Sequence, residues 1–115
     1  MQRTQAEVIA QIALFVEALT VYCNEENINK SIYSLVFEVQ TGPKNVRIVR
    51  RELWKGQQEP TNGSVHCFID KATGDIKKAD GWKRPAPQIR GSIFNEGFDI
   101  GIGKAVGVYG AAYLR

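Results

Sequence analysis

The sequence has little of the chemistry that metal and catalytic sites need, since its 115 residues include one histidine and two cysteines. Zinc sites use Cys and His ligands at short spacings, and neither Cys23 nor Cys67 has such a partner. Both cysteines lie among apolar residues, which favours small buried side chains over a disulfide. His66 is more typical of a half-buried strand residue than of a general base. We therefore expect no metal ion.

Motifs for nucleophilic catalysis and for phosphate loops are also missing. The chain has no Gly-x-Ser-x-Gly segment, and the glycines around Lys104 do not have the spacing of a phosphate loop or a dinucleotide fingerprint. No apolar run approaches the roughly 20 residues that span a bilayer. The N-terminus does not resemble a signal peptide. We expect a cytoplasmic protein that is not an enzyme, needs no cofactor and has no membrane partner.

The composition that is present suits a single globular domain over residues 1–115, with 43% hydrophobic and 23% charged residues. The net charge of +3 is distributed unevenly. Residues 41–95 hold eleven Lys or Arg against five acids, whereas residues 1–40 hold two against five. The middle of the chain is thus expected to face an anion, either nucleic acid or a phosphorylated small molecule, although charge that serves solubility is the alternative.

Periodicity predicts an α+β fold. Thr4 and Glu7 have the form of a capping box, and the apolar stripe from Val8 to Cys23 indicates an amphipathic helix. Alternating segments then predict strands, with residues 87–95 readable as helix or strand and the glycine-rich tail as broken strand pieces. The predicted strands are residues 31–40, 46–53, 64–70 and 75–79. We expect the N-terminal helix to pack on an antiparallel sheet of about four to six strands.

The hairpin over residues 64–79 and the loop after it stand at the centre of the functional interpretation. Asp70 and Gly74 have the chemistry of a tight turn. Trp82 then stands beside Lys83 and Arg84 on a loop that two prolines restrain. An aromatic plane next to cations suits a planar anion such as a nucleotide. The alternative is that Trp82 caps the hydrophobic core while the cations are solvated.

A second basic feature is the predicted strand that carries Arg47, Arg50 and Arg51. Arginine binds phosphate through its planar fork, which can engage two oxygens at once. An exposed or edge strand that uses charge to prevent aggregation would give the same pattern.

Six segments of the chain resemble a pattern found in small uncharacterised phage proteins, namely Val65–Asp75, Lys78–Ala79, Trp82–Lys83, Pro85–Ala86, Arg90–Gly91 and Tyr109–Arg115. Among characterised families of small phage proteins, this pattern is most similar to the first Thoeris anti-defence family. That resemblance implies a helix with antiparallel strands and a homo-oligomer that sequesters, without cleaving, the cyclic ADP-ribose signal made by TIR-domain enzymes. Some members of that family also hold cyclic oligonucleotides in separate pockets.

A protein that sequesters a nucleotide signal needs cations for phosphate, an aromatic for stacking and an amide for the base or ribose. By residue type and position, we expect the ligand contacts to come from Phe68, Trp82, Lys83, Arg90, Asn95 and Arg115. The alternative is a nucleic-acid-binding protein in which Trp54 or Trp82 stacks on bases and a set of cations follows the backbone. Those cations are Arg47, Arg50, Arg51, Lys77, Lys78, Lys83 and Arg84. An interaction module that inhibits a host protein is a third possibility.

Overall fold

A single long helix covers one face of the sheet in the computed structural model, which describes residues 3–111. This helix, α1 (Gln5–Glu26), starts with the predicted capping box, because the Glu7 N–H donates to Thr4 Oγ1 (3.1 Å) and the Thr4 N–H to Glu7 Oε1 (3.1 Å). The residues of α1 that are buried are Val8, Ile12, Phe15, Leu19 and Cys23. Their spacing places them on one stripe, as the periodicity predicted.

The sheet has five antiparallel strands in the order β1-β2-β3-β4-β5, so each strand pairs only with its neighbours in sequence. The strands are β1 (Tyr33–Thr41), β2 (Asn45–Trp54), β3 (Ser64–Asp70), β4 (Asp75–Ala79) and β5 (Pro85–Ser92). A short 3₁₀ helix, Glu96–Asp99, follows β5. This arrangement confirms the predicted α+β fold and the predicted antiparallel sheet.

In the C-terminal half, the structure decides between the two alternatives for residues 87–95 in favour of a strand, and it differs from the prediction for the tail. The segment predicted as helix or strand is β5, which begins within the basic loop at Pro85, on the edge of the sheet where a missing N–H disrupts no ladder. The tail forms the 3₁₀ helix and two isolated bridges, Ile100 to Val106 and Val106 to Ala111, instead of strand pieces. Gly101 and Gly103 have positive φ angles of 136° and 79°, which interrupt an extended chain.

The two faces of the sheet have different compositions. The face under α1 contributes Val46, Ile48, Cys67, Ile69 and Ile76 to the hydrophobic core. On the opposite face of the sheet, the register aligns one residue from each of the five strands in a row. These residues alternate along their strands with the core residues, so they point away from α1. This opposite row consists of Gln40, Arg47, Phe68, Lys77 and Ile89. Two cations of this row, Arg47 and Lys77, therefore lie on the face of the sheet that α1 does not cover.

The alternation of side chains that is typical of a strand is interrupted at one position in β3. The register shift between Ile48 and Val49 leaves His66 without a partner in β2, which is the signature of a β-bulge. His66 and Cys67 are both buried, and the imidazole makes an edge contact with the Phe37 ring at 5.5 Å. His66 therefore does not share a face with Phe68, although strict alternation along a strand would place the two side chains on the same face.

The helix α1 is also long and apolar enough, by length and composition alone, to be a candidate membrane-spanning helix. The same composition serves the core here, since Phe15 and Leu19 are fully buried. Leu14 and Val21 lie on the outer side of α1 and are about half exposed.

Candidate functional site

The face of the sheet opposite α1 carries a groove between the β1–β2 turn and the β4–β5 loop. Its volume is about 450 Å³, within the range of roughly 300–1,000 Å³ that is typical of small-molecule sites. Residues 40–45, Arg47, Phe68, Trp82 and Lys83 line it. We refer to it as the Arg47–Trp82 groove.

Arg47 is fixed in the middle of this groove by contacts on two sides. Its Nε–H donates to Gln40 Oε1 at 2.9 Å, and Nη1 donates to the Trp82 carbonyl oxygen at 2.7 Å. The guanidinium carbon lies 4.7 Å from the centre of the Trp82 ring, a cation–π distance. These hydrogen bonds use two of the five guanidinium N–H groups. Arg47 is thus held in place while it retains donors for an anion.

Trp82 and Phe68 supply aromatic surface at different depths. Phe68 is 4% exposed and stands between Arg47 and Lys77 in the register of the sheet. Trp82 is 43% exposed, on a loop that the hydrogen bond from the Asp80 N–H to the Arg84 carbonyl oxygen closes at 2.7 Å. The indole therefore keeps accessible surface on which a planar ring can stack.

The wall of the groove formed by the β1–β2 turn contains an amide oxygen without a partner. Asn45 Oδ1 is buried and accepts no hydrogen bond. Backbone contacts fix the turn around it, since the Gly42 N–H donates to the Asn45 carbonyl oxygen (2.9 Å) and Lys71 Nζ to the Gly42 carbonyl oxygen (3.0 Å). Asn45 and Arg47 are two residues apart in β2 and so share a face.

The lining of the groove is positively charged. Lys44, Arg47 and Lys83 contribute three cations, and none of the described lining residues is an aspartate or a glutamate. Two acids lie beside the lining, namely Glu38, which accepts hydrogen bonds from Gln40 and Arg51, and Asp70, which is opposite Asn45 in the register. The Asp70 carboxylate contacts residues outside the groove. Its Oδ1 accepts from the Ala72 N–H at 2.8 Å, and its Oδ2 lies 3.8 Å from Lys77 Nζ. The potential in the groove favours an anion.

The structure brings three of the six predicted ligand residues together in this groove, namely Phe68, Trp82 and Lys83. Arg90 lies in β5 and is not part of the lining, although its Nε and Nη1 are buried without hydrogen-bond partners. Asn95 precedes the 3₁₀ helix and donates from Nδ2 to Asp99 Oδ2 at 2.7 Å. The prediction for Arg115 lies outside the described residues.

The predicted set of ligand residues does not include Asn45, Lys44 or Arg47, although Arg47 is on the predicted strand whose arginines suit phosphate. The arginine-rich strand was a usable signal for Arg47, since phosphate binding had been considered for it. Nothing in the sequence signalled Asn45, because an asparagine in the segment Gly42-Pro43-Lys44-Asn45 is ordinary for a turn. Asn45 becomes part of the groove only because the β1–β2 turn lies beside the loop that carries Trp82.

The cations of the nucleic-acid alternative do not form one continuous surface. Arg50 lies opposite Phe37, on the side of the sheet that faces α1, and contacts Glu52 at 3.4 Å. Arg51 donates from Nε to Glu38 Oε1 at 3.1 Å. Each of these ion pairs lowers the charge available to a long polyanion, whose binding depends on unneutralised cations.

A larger cavity of about 690 Å³ lies under the glycine-rich tail, where Tyr22, Lys104 and His66 are among the lining residues. His66 Nε2 lies 2.7 Å from the Gly107 carbonyl oxygen. Because a carbonyl only accepts, Nε2 carries the proton and Nδ1, 3.4 Å from Cys67 Sγ, is left to accept. His66 thus attaches the tail to β3.

Burial lowers the pKa of His66 to about 4, with the charge of Arg50 adding to the effect and the bond to Gly107 opposing it. Because the unfolded chain has the ordinary pKa of about 6.5, it binds the proton first, and stability is lost as the pH falls from about 6.5 towards 4. We expect wild type to lose on the order of 3 kcal/mol more than His66→Gln over this range. Urea unfolding at pH 7, 5.5 and 4 measures the difference, and parallel losses in the two proteins would contradict it.

Both thiols are buried and unpaired, as the sequence predicted. Burial raises the pKa of Cys23 to about 11 and raises that of Cys67 further, so both are protonated at neutral pH and poor nucleophiles. Within residues 3–111 no group of three His, Cys, Asp or Glu side chains could hold a metal ion.

Comparison with known proteins matches the chain to a family of unknown function. No curated protein and no solved structure matches the chain significantly. The sequence pattern of a family of unknown function, DUF7717, matches residues 1–99, which include every strand and all residues that line the Arg47–Trp82 groove. The chain therefore belongs to the DUF7717 family.

Proposed function

We propose that this protein binds a nucleotide in the Arg47–Trp82 groove and sequesters it without converting it. The observation that carries the proposal is the convergence of an accessible indole with three cations in a groove whose described lining has no carboxylate. Phosphate groups interact with the cations, and a nucleobase stacks on Trp82. This pairing of charge and aromatic surface is the chemistry that a nucleotide requires.

Binding without turnover is supported by the kind of residues in the groove. No histidine, cysteine, aspartate or glutamate is among the described lining residues, so the usual general bases and nucleophiles are not at hand there. His66 lines the other cavity, where its two ring nitrogens face Gly107 and Cys67. The groove supplies contacts for capture and no evident acid–base pair.

The ligand class that we propose is a cyclic nucleotide immune signal of the cyclic ADP-ribose type. The resemblance to the first Thoeris anti-defence family supports this choice, and the resembling segments supply Phe68, Trp82 and Lys83 to the groove. The protein would then act as a homo-oligomer in the cytoplasm of an infected bacterial cell. Tight capture favours a preformed pocket, and the two hydrogen bonds that fix Arg47 contribute to preorganisation.

The test is recovery of the ligand. Purified protein is incubated with a TIR-derived cyclic ADP-ribose isomer, desalted, heated and analysed by mass spectrometry, with Trp82→Ala as the matched variant. We expect intact ligand at close to one per groove from wild type and at least about fivefold less from Trp82→Ala, since base stacking contributes about 1–3 kcal/mol.

Three other results would contradict the proposal in different ways. Recovery of linear ADP-ribose would show that the protein hydrolyses the signal. Recovery of no nucleotide, together with single-stranded DNA that binds in low salt and dissociates steeply as salt rises, would favour the nucleic-acid alternative. Equal recovery from wild type and Trp82→Ala would place the ligand outside the groove.

A further inference from the structure

We infer that Glu38 is a positioning residue of the Arg47–Trp82 groove, and that it fixes Arg47 for an anionic ligand through the side-chain amide of Gln40. This inference rests on the proposed function, because it concerns how the groove holds the phosphate groups of a nucleotide. Glu38 does not line the groove, and it is not among the ligand residues that the sequence predicts.

A continuous chain of hydrogen bonds connects Glu38 to the β4–β5 loop, on the face of the sheet that α1 does not cover. Gln40 and Arg47 are cross-strand partners, and Glu38 precedes Gln40 by two residues, so all three share this face. Gln40 Nε2 donates to Glu38 Oε2, and Arg47 Nε donates to Gln40 Oε1 at 2.9 Å. Arg47 Nη1 donates in turn to the Trp82 carbonyl oxygen at 2.7 Å. Glu38 Oε1 accepts from Arg51 Nε at 3.1 Å.

Glu38 determines the orientation of the Gln40 amide. The hydrogen bond from Gln40 lowers the pKa of Glu38, and the charge and hydrogen bond of Arg51 add to this effect while burial opposes it, so Glu38 is a carboxylate at neutral pH. A carboxylate only accepts hydrogen bonds, whereas a guanidinium only donates them. The Gln40 amide satisfies both neighbours only with its NH₂ towards Glu38 and its oxygen towards Arg47. Without Glu38, no partner of the NH₂ group holds the amide oxygen against Arg47.

The neutral amide between Glu38 and Arg47 restrains the arginine without cancelling its charge. A carboxylate in direct contact with Arg47 would form an ion pair and weaken the attraction of the groove for an anion. Here Gln40 separates the two charges, and Arg51 compensates that of Glu38. Within residues 3–111 nothing accepts a hydrogen bond from Arg47 Nη2, which leaves this nitrogen for a phosphate oxygen. An arginine that is already fixed loses less side-chain entropy when the ligand binds.

Isothermal titration of the full chain with the cyclic ADP-ribose isomer tests this role in Glu38→Ala. We expect binding about three- to tenfold weaker than in wild type, because the variant loses the restraint on the arginine that donates to the ligand. The charge of Glu38 alone predicts the opposite sign, since removing an acid near the groove strengthens the attraction for an anion. In a Gln40→Ala background, Glu38→Ala should change the affinity by less than about twofold, because the amide through which Glu38 acts is gone. Circular dichroism verifies that the variants are folded.

The fluorescence of Trp82 tests the same role without a ligand. The chain has two tryptophans, so Trp54→Phe leaves Trp82 as the only one. Trp54 lies at the other end of the β1–β2 hairpin, and phenylalanine keeps an aromatic ring there. Because the Arg47 guanidinium lies 4.7 Å from the Trp82 ring, a less restrained Arg47 leaves the indole more accessible. We expect acrylamide to quench Trp82 more strongly in Glu38→Ala than in the Trp54→Phe parent.

The outcomes separate this inference from the proposed function. Binding of the isomer by Glu38→Ala that equals or exceeds wild-type binding would overturn the role of Glu38 and leave nucleotide capture intact. A loss of the same size with and without Gln40 would also overturn it, because Glu38 would then act by another route. If wild type does not bind the isomer, the proposed function is contradicted. The quenching of Trp82 then decides whether Glu38 restrains Arg47, and equal quenching in the variant and its parent would show that it does not.

Discussion

Replacing Arg47 with leucine should weaken capture of the cyclic ADP-ribose isomer by roughly 10- to 100-fold, because a hydrogen bond to a charged group contributes about 1.5–3 kcal/mol. The substitution removes the central cation of the groove. It also removes the bond from Nη1 to the Trp82 carbonyl oxygen and the stacking contact at 4.7 Å, which together hold the β4–β5 loop against the sheet. Equilibrium titration followed by the fluorescence of the tryptophans measures the change.

Arg51→Leu is the matched control for this prediction. Arg51 lies in the same strand, contacts Glu38 at 3.1 Å and does not line the groove. Its removal should change affinity less than threefold, since an exposed ion pair contributes about 0–1 kcal/mol to stability. Glu38, its partner, can keep the hydrogen bond that it accepts from Gln40 of the groove when Arg51 is replaced. If both variants bind as wild type does, the groove is not the binding site. Equal losses in the two would indicate a diffuse electrostatic surface instead.

Leu19→Ala should lower the free energy of unfolding by about 3–5 kcal/mol, the range found for fully buried leucines. Leu19 is 0% exposed and lies in the stripe of α1 that packs on the sheet. Truncation leaves a cavity between helix and strands that the close-packed core can fill only in part. Since a domain of this size is typically stable by about 5–15 kcal/mol, the loss is a large fraction of the total. Urea unfolding followed by circular dichroism measures it.

Leu14→Ala is the control for Leu19→Ala, because it makes the same substitution in the same helix at an exposed position. The difference between the two variants therefore measures the effect of burial, without the effect of helix propensity. Leu14 is 53% exposed on the outer side of α1, and we expect its truncation to change stability by no more than about 0.5 kcal/mol. A loss comparable to that of Leu19→Ala would mean that the outer side of α1 is covered in solution. Sedimentation of both variants would then show whether a second copy covers it.

The parts of the fold that local chemistry determines could be predicted from the sequence. The capping box at Thr4 and the apolar stripe of α1 depend on residues three or four positions apart. The hairpin turn was likewise predictable, since Asp70 Oδ1 accepts from the Ala72 N–H at 2.8 Å and Gly74 has a φ of 80°. Each of these features depends on residues that are close together in the sequence.

The candidate site was predictable only in part, because it depends on contacts between distant segments. Trp82 and Lys83 were found from their residue types, whereas Asn45 gained its environment from a loop more than 30 residues away. The bulge at His66 depends on the pairing of β2 with β3, which alternation alone does not reveal. Arg90 and Asn95 had suitable chemistry, but the register of β5 and the bond to Asp99 place them away from the groove.

The meander order of the sheet has a consequence for the entropy of assembly. Every strand pairs with its sequence neighbour, and the longest connection between paired strands is residues 55–63, so the sheet closes only short loops. The entropy lost on closing a loop grows with the length of chain enclosed, so forming this sheet costs little loop-closure entropy. The Arg47–Trp82 groove is an exception, because it joins β2 to the β4–β5 loop across two intervening strands. Its geometry therefore relies on the completed sheet, and weakening β3 or β4 would disorganise the groove without touching any residue of its walls.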